Sequence, residues 1–292
     1  MPSTRDIRRR IRSVKNTAQI TKAMQMVASS KMRRAQLAAL AGRPYASLMN
    51  DILAAVTEGA GDFSHPLLEK REGGKRALIL ISTDKGLCGA LNSNLLREAG
   101  RFDKGTTVYV CAGRKGSQFV ARTKRDLSAE FTYKDSPTFE EARAISKFAQ
   151  DLFLKGDVSR VDVLYTNFIN TLSQRPDLRT LLPISEITAV EAGVTGDGQA
   201  GRLKKSEIEY LFEPNAGAVL GNLLPHYVNF QIYQFLLEAK ASEHSARMVA
   251  MKSATDNAKQ LIKDLTLEYN KLRQANITRE LLEITSAAMA MG

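Results

Sequence analysis

Residues 247–272 read RMVAMKSATDNAKQLIKDLTLEYNKL, in which small or apolar residues recur at alternating steps of three and four. These residues are Met248, Met251, Thr255, Ala258, Ile262, Leu265, Tyr269 and Leu272. A heptad seam of this kind is typical of a helix that packs lengthwise on a second helix. The stretch lies within residues 226–291, which contain neither Gly nor Pro. At 1.5 Å per residue such a helix would be roughly 100 Å long, so it must pack on another long helix, protrude into a partner, or both.

The N-terminal region predicts a second long helix. Residues 3–41 lack Gly and Pro, and Ser3 followed by Asp6 is a plausible N-terminal capping pair. Nine residues at spacings of three and four form one stripe, interrupted in apolar character only by Thr21. They are Ile7, Ile11, Val14, Ala18, Thr21, Met24, Ala28, Met32 and Ala35. Helical character is predicted to resume at residues 45–56.

The middle of the chain predicts a small α/β domain. Apolar runs at residues 76–82, 107–111 and 161–168 are typical of buried strands, and residues 178–184 and 208–212 are expected to add two more. Helices are predicted at residues 91–99, 116–122 and 138–154, so strands and helices alternate and parallel connections are expected. Residues 188–205 are rich in Gly and predict a loop. We place the domain limits at 1–58, 74–212 and 213–292.

Charge is concentrated at one end of the sequence. The formal net charge is +11, and residues 1–43 hold 11 basic residues against the single acid Asp6. Such a segment is expected to seek an acidic partner. It could be a nucleic-acid arm, an organelle-targeting peptide, or a helix that faces an acidic protein. Residues 1–44 contain no aromatic side chain, which disfavours binding to single-stranded nucleic acid by stacking.

Motifs of enzyme chemistry are weak. Residues 196–201 match G-x-G-x-x-G, but no apolar strand precedes them and no amphipathic helix follows, so a dinucleotide site is not expected. No P-loop motif and no apolar run long enough to span a bilayer occur. The turn at residues 82–92 could bind an anion or activate Cys88, although a tight turn with a buried Cys88 is favoured because no His lies nearby. We predict no catalytic residue, cofactor or metal site.

Three stretches closely resemble the gamma subunits of F-type ATP synthases. Residues 7–28 (IRRRIRSVKNTAQITKAMQMVA) resemble the N-terminal signature of that family. Residues 243–257 (EHSARMVAMKSATDN) and 265–284 (LTLEYNKLRQANITRELLEI) resemble its C-terminal signatures. Asp84-Lys85-Gly86-Leu87-Cys88-Gly89 resembles the family's central turn.

This resemblance implies a fold and a set of partners. The fold is α/β, with two long terminal helices that form an antiparallel coiled coil and a central Rossmann-like domain that uses no nucleotide. The coiled coil would turn inside a hexamer of alpha and beta subunits, and the central domain would lie near the epsilon subunit and the c-subunit ring. Membrane contact would be indirect, through the c ring, on the cytoplasmic face of a bacterial plasma membrane. The family motif begins within six residues of Met1, so we do not expect a cleaved targeting peptide.

The resemblance also implies roles for individual residues. Met24, flanked by Lys22, matches the position that lies beside acidic loops of the beta subunits. Arg273 and Gln274 match the "catch" that bonds to beta-subunit loops, and Arg247 matches a further coupling position. On this interpretation the chain is a non-catalytic rotor that couples ion-driven rotation to ATP synthesis or hydrolysis. The alternative from the charge pattern is a basic coiled-coil protein that binds nucleic acid, and an enzyme with a Rossmann-type domain is the least favoured.

Overall fold

The computed structural model describes residues 3–42, 44–46, 48–49, 52–53, 65–71, 73–184 and 215–291. Within them the helices and strands alternate through the middle of the chain, between two long helices. In chain order they are α1 (Thr4–Ala41), β1 (Arg76–Ile81), α2 (Leu91–Gly100), β2 (Thr107–Ala112), α3 (Arg114–Arg122), β3 (Asp126–Phe131), α4 (Phe139–Leu154), β4 (Arg160–Phe168), β5 (Gln174–Leu182) and α5 (Ala216–Met291). None of the helices in these ranges is long and apolar enough to cross a membrane.

The chain divides into two compact units, and the described residues of the first are helical apart from Ser3. It comprises Met1–Ala28 and Met248–Gly292. The hydroxyls of Thr21 and Thr255 are 2.7 Å apart, and Arg8 donates a hydrogen bond to the hydroxyl of Tyr269. Later residues of α1 therefore lie opposite earlier residues of α5, which means that the two helices pack antiparallel. The predicted antiparallel pairing is confirmed.

Burial in the first unit follows the predicted seam. Met251, Thr255, Ala258 and Leu265 are buried, and Met248, Ile262, Tyr269 and Leu272 are half-buried. Between residues 251 and 272 every other position except Ala254 is exposed. The stripe on α1 behaves in the same way, since each of its nine residues is buried or half-buried. Two narrow apolar faces thus meet along a line, as helices with a heptad spacing do.

The second unit, Ser29–Arg247, is built on a five-stranded sheet. The strand order is β3-β2-β1-β4-β5; β1 pairs parallel with β2 and β4, β2 pairs parallel with β3, and β5 pairs antiparallel with β4. All of β2 and all of β1 after Arg76 are buried, which is expected where helices cover both faces of a sheet.

Each face of the sheet has its own core. On one face, Leu78, Leu80 and Tyr109 pack with residues of α2 and α3. On the other face, β1 residues such as Ile79 pack with α4 and with the first half of α5. Helix α4 begins with a capping box in which Thr138 and Glu141 bond each other's backbone N–H groups. The predicted α/β domain between two long helices is confirmed.

Some predicted elements differ in extent from those observed. Strand β3 was not predicted, because its residues DLSAEF alternate between polar and apolar and contain no apolar run; the strand lies at the edge of the sheet with one exposed side. Strand β5 begins at Gln174, four residues before the predicted start. Helix α5 begins at Ala216 and not at residue 226, because it continues through Pro225. The side chain of Asn215 accepts a hydrogen bond from the N–H of Ala218 and caps this earlier start.

Several sequence predictions lie outside the described residues. They are the glycine motif at 196–201, the loop at 188–205, the strand at 208–212 and half of the helix at 45–56, whose described residues are helical. The predicted domain limits at residues 58, 212 and 213 also lie outside the described ranges.

Candidate coupling sites

One segment of α5 is enclosed by the second unit. Every residue from Gln234 to Ala246 is buried, so the helix has no solvent face over more than three turns. Two small polar residues bond it to the end of the sheet. The Ser242 hydroxyl donates to the carbonyl oxygen of Thr166 at 2.9 Å, and the Ser245 hydroxyl donates to that of Thr171 at 2.8 Å.

Charged side chains within this segment and beside it form a series in which positive and negative charges alternate. Lys31 of α1 pairs with Asp135, which lies between β3 and α4. Lys240 Nζ lies 3.8 Å from Asp135 Oδ1 and 3.0 Å from Glu243 Oε2, and the other oxygen of Glu243 accepts from Arg247 at 2.7 Å. We call Lys31, Asp135, Lys240, Glu243 and Arg247 the ionic chain. It satisfies the rule that buried charges occur in pairs.

Burial and charge set the proton affinities in this region. Burial alone would raise the pKa of Glu243, but Lys240 and Arg247 together outweigh it and hold that pKa below its ordinary value. The hydrogen bond from Lys31 lowers the pKa of Asp135. Burial lowers the pKa of His244 to about 4, and its Nε2 atom has no hydrogen-bond partner. The two carboxylates are therefore charged at neutral pH, while His244 is neutral.

The predicted central turn lies at one end of this chain of charges. Arg247 Nη2 approaches the carbonyl oxygen of Gly86 at 3.4 Å, and Asp84 accepts a hydrogen bond from the backbone N–H of Arg114 at 3.0 Å. The carbonyl oxygen of Lys85 accepts from the Thr83 hydroxyl, and Gly89 has φ +59°. The turn thus joins the carboxyl end of β1 to the start of α3 and to α5.

Cys88 is a packing residue of this turn. Its side chain is buried against Leu91 and Ala246, and burial raises the pKa of its thiol. Burial thus disfavours the thiolate, which is the form that makes a cysteine reactive. The buried cysteine in a tight turn is the interpretation that the sequence favoured, and the structure agrees with it.

The other predicted coupling residues lie in the first unit, in two places. Lys22 is exposed and Met24 is half-buried on α1. Arg273 and Gln274 are exposed on α5, directly after the last seam residue, Leu272. Because Thr21 lies opposite Thr255, about 18 residues before Arg273, Met24 and Arg273 are separated by roughly 30 Å along the helical pair. They form two sites and not one.

Sequence reasoning missed two features of these surfaces. Three large apolar side chains near Met24, those of Ile20, Met26 and Val27, are more than half exposed. Most of the ionic chain was also missed, although its Glu243–Arg247 pair has a spacing within one helix, four residues, that indicates an ion pair. Its signal in the sequence is the presence of Glu238, Lys240 and Glu243 in an otherwise apolar or small-residue run, since charges there must find partners.

Comparison with known proteins gives consistent matches over the whole chain. A protein-family profile described as ATP synthase matches residues 3–291. The ATP synthase gamma chain of Opitutus terrae is 52% identical over 99% of both chains. That of Methylacidiphilum infernorum is 48% identical over 100% of both chains. These relatives give no support to the nucleic-acid interpretation of the basic helix.

Solved structures agree on the fold. A chain of the central stalk and c ring of the Tetrahymena thermophila mitochondrial ATP synthase is 27% identical, with a TM-score of 0.60, over 80% of this chain and 99% of that one. A chain of the Euglena gracilis mitochondrial ATP synthase is 20% identical, with a TM-score of 0.69, over 99% of this chain and 94% of that one. The second likeness, at its lower identity, is one of fold alone.

Proposed function

The chain belongs to the family of ATP synthase gamma chains, and we propose that it couples rotation to catalysis through the exposed surfaces of its helical pair. Members of this family are rotor subunits of the central stalk and are not themselves catalytic. Coupling of this kind needs no reacting group on the rotor. It requires contacts that differ between the states of its partners, so that each rotor angle favours a different state.

One observation carries this proposal: the last part of α5 has no covering partner within the described chain. Every described residue from Arg273 to Met289 is exposed, including Ile277, Leu281, Leu282 and Ile284. A single helix with this much exposed apolar surface is marginal in water by itself. We therefore expect other subunits to cover this part of α5 in the assembled complex.

We assign the partners by charge and by the family's architecture. The helical pair would turn within a ring of alpha and beta subunits, and the +10 charge of residues 1–43 would face acidic loops of the beta subunits. The second unit, which we call the sheet domain, would bind the epsilon subunit and the c ring. The complex would lie at the cytoplasmic face of a bacterial plasma membrane, with contact between this chain and the membrane only through the c ring.

We further propose that the predicted residues form two contact zones with the catalytic subunits. Lys22 and Met24, with the exposed Ile20, Met26 and Val27 near them, supply a cationic and apolar surface. Arg273 and Gln274 supply hydrogen-bond donors at the other zone. An Arg guanidinium can bind a carboxylate through two parallel hydrogen bonds, which would define a rotor angle sharply.

Replacement of Arg273 and Gln274 by Ala tests the second zone. We expect the double variant to assemble into the complete complex, because both side chains are exposed and neither residue belongs to the seam. ATP turnover by that complex should fall, because the contacts that link rotor angle to site opening are lost. Turnover is measured on purified complexes of equal subunit composition.

A matched control comes from the same helix. Asn270→Ala together with Lys271→Ala removes two exposed polar side chains next to the seam residue Tyr269. This control is expected to retain normal turnover. Equal turnover in the wild-type complex and the Arg273/Gln274 variant would contradict the assignment of these two residues.

A further inference from the structure

We propose that Glu243 is a positioning residue that, through the ionic chain, prevents α5 from turning about its own axis inside the sheet domain. The inference rests on the proposed rotor function, because a rotor must transmit torque between its helical pair and its sheet domain. The ionic chain lies entirely within the second unit, in which residues 234–246 of α5 are enclosed on all sides. Glu243 is the only member bonded to two cations of the same helix, one on each side.

The need for such a device follows from how α5 is packed. From Ala239 to Ala246 the helix presents mostly Ala and Ser, and its apolar contacts there include Ala241 with Ala35 and Phe168. Apolar contact has no preferred direction, so apart from the hydrogen bonds of Ser242 and Ser245 this surface offers little resistance to rotation of the helix. Ion pairs that are also hydrogen bonds are directional and strong. The ionic chain can therefore set the rotational position of α5.

One group of contacts ties Lys240 to the body of the domain. Its ammonium group lies 4.4 Å from the centre of the Tyr133 ring, and the Tyr133 hydroxyl donates to the carbonyl oxygen of Ser82 at 3.0 Å. Ser82 follows β1 directly and bonds onward to the N–H of Gly116 at 2.7 Å. Lys240 is only 2% exposed, so these contacts are protected from water.

A second group of contacts ties Arg247 to the central turn. Its guanidinium reaches Gly86 as well as Glu243, and its side chain is 12% exposed. Asp135 adds a third connection, because it links Lys240 to Lys31 of α1. Both long helices are thus bonded to the same corner of the sheet domain. Loss of the Glu243 charge would leave Lys240 and Arg247 buried without their shared partner, the change that is most costly in buried ion pairs.

The test uses Glu243→Gln in the assembled ATP synthase head complex. A single exposed cysteine, Gln118→Cys on α3, carries an optical probe on the sheet domain. The native Cys88 and Cys111 are buried, and burial raises the pKa of Cys111 to about 12, so they should not be labelled. With the head immobilised and nucleotide absent, we expect the angular fluctuations of the probe to be larger in Glu243→Gln than in the wild type. Hydrogen exchange of the amides at residues 240–247 should be faster by about a hundredfold or more.

Two controls separate this role from a general loss of stability. Glu98→Gln removes the carboxylate of an exposed pair with Arg101 at the same spacing of three residues, and should change neither readout. Ile145→Ala creates a cavity in the core of the sheet domain, and should lower the unfolding temperature without widening the fluctuations. Normal fluctuations in Glu243→Gln, or equally wide ones in Ile145→Ala, would overturn the inference. A wild-type probe that fails to rotate with ATP would overturn the proposed function instead.

Discussion

At the residue scale, His244 is a buried side chain whose environment opposes its charged form. It is 2% exposed, and it lies among Glu243, Arg247, Asp135 and Lys240, of which the two carboxylates favour protonation and the two cations oppose it. Burial is the largest influence, and it lowers the pKa of His244 to about 4. The imidazole is therefore held neutral inside a charged cluster.

This leads to a prediction about stability in mild acid. In the unfolded chain His244 takes up a proton below about pH 6.5, whereas in the folded chain it does so only near pH 4. The unfolded state therefore binds more protons between these values, and stability falls as the pH falls. By pH 5 the loss assigned to His244 is about 2 kcal/mol. We expect urea unfolding of the chain to show this loss between pH 7 and pH 5.

His244→Gln is the variant that isolates this effect. It keeps a polar side chain of similar size but cannot be protonated, so its unfolding free energy should change less over the same pH range. The range ends at pH 5 because protonation of Glu243 and Asp135 lowers stability in stronger acid. The same pH dependence in the variant and the wild type would show that another group, such as His65, is responsible.

At the element scale, the seam of the helical pair contains a polar contact between one residue of the stripe and one of the seam. Thr21 and Thr255 face each other at 2.7 Å, and each hydroxyl is also placed to donate to a carbonyl oxygen of its own helix, that of Ala18 or that of Met251. Because each hydroxyl has one proton, only one of these intrahelical bonds is made while the hydroxyls bond each other. Neither hydroxyl is left without a partner when the other is removed. The contact across the pair can therefore be measured without the penalty of an unsatisfied buried group.

We predict that Thr21→Val and Thr255→Val are coupled. Each single change should cost roughly 0.5–1.5 kcal/mol, and the double variant should cost less than the sum, because the shared bond is lost only once. Urea unfolding of the four proteins gives the coupling energy. Thr266→Val and Thr278→Val provide the control, since their exposed hydroxyls bond only within α5 and the two effects should add. Additive costs for Thr21 and Thr255 would contradict the pairing.

The same elements show what sequence alone can predict. The seam and the stripe were predicted residue by residue, because a coiled-coil position depends only on spacing along one helix. The start of α5 was not, because Pro225 normally ends a helix and the Asn215 cap and the surrounding core outweigh that preference. Strand β3 was missed because one of its sides is exposed, so that few of its residues need to be apolar. Its pairing with β2 is made by main-chain groups, which the side chains do not reveal.

The candidate sites show a similar division. Met24, Arg247, Arg273 and the central turn were found through resemblance, whose motifs are contiguous in the sequence. The ionic chain was largely missed because Lys31 and Asp135 are about 100 residues apart, and only the fold brings them to Lys240. Residues that pair over so many positions have no regular spacing in the sequence, so a single sequence does not reveal the pair.

At the scale of the whole molecule, the chain is asymmetric in how its two long helices end. Helix α5 continues past Leu272 as a single helix, exposed at every described side chain from Arg273 onward. This part carries five of the exposed large apolar side chains, Ile277, Leu281, Leu282, Ile284 and Met289. Apolar residues left exposed in such a number mark a surface that binds another protein. The end of α5 is thus expected to serve the assembly and to add little to the stability of the isolated chain.

A pair of deletions tests this last expectation. Removal of residues 273–292 takes away no side chain that the structure describes as buried, since all of those described, from Arg273 to Met289, are exposed, so the unfolding midpoint of the isolated chain should stay unchanged. Removal of residues 262–292 also deletes the seam residues Ile262, Leu265, Tyr269 and Leu272, each worth about 1.5–3 kcal/mol if fully buried, and should lower the midpoint. In the assembled complex the shorter deletion should reduce ATP turnover, because it removes Arg273 and Gln274. A lower midpoint after the shorter deletion would mean that this end of α5 stabilises the chain itself, and the argument for an enclosing partner would then lose its main support.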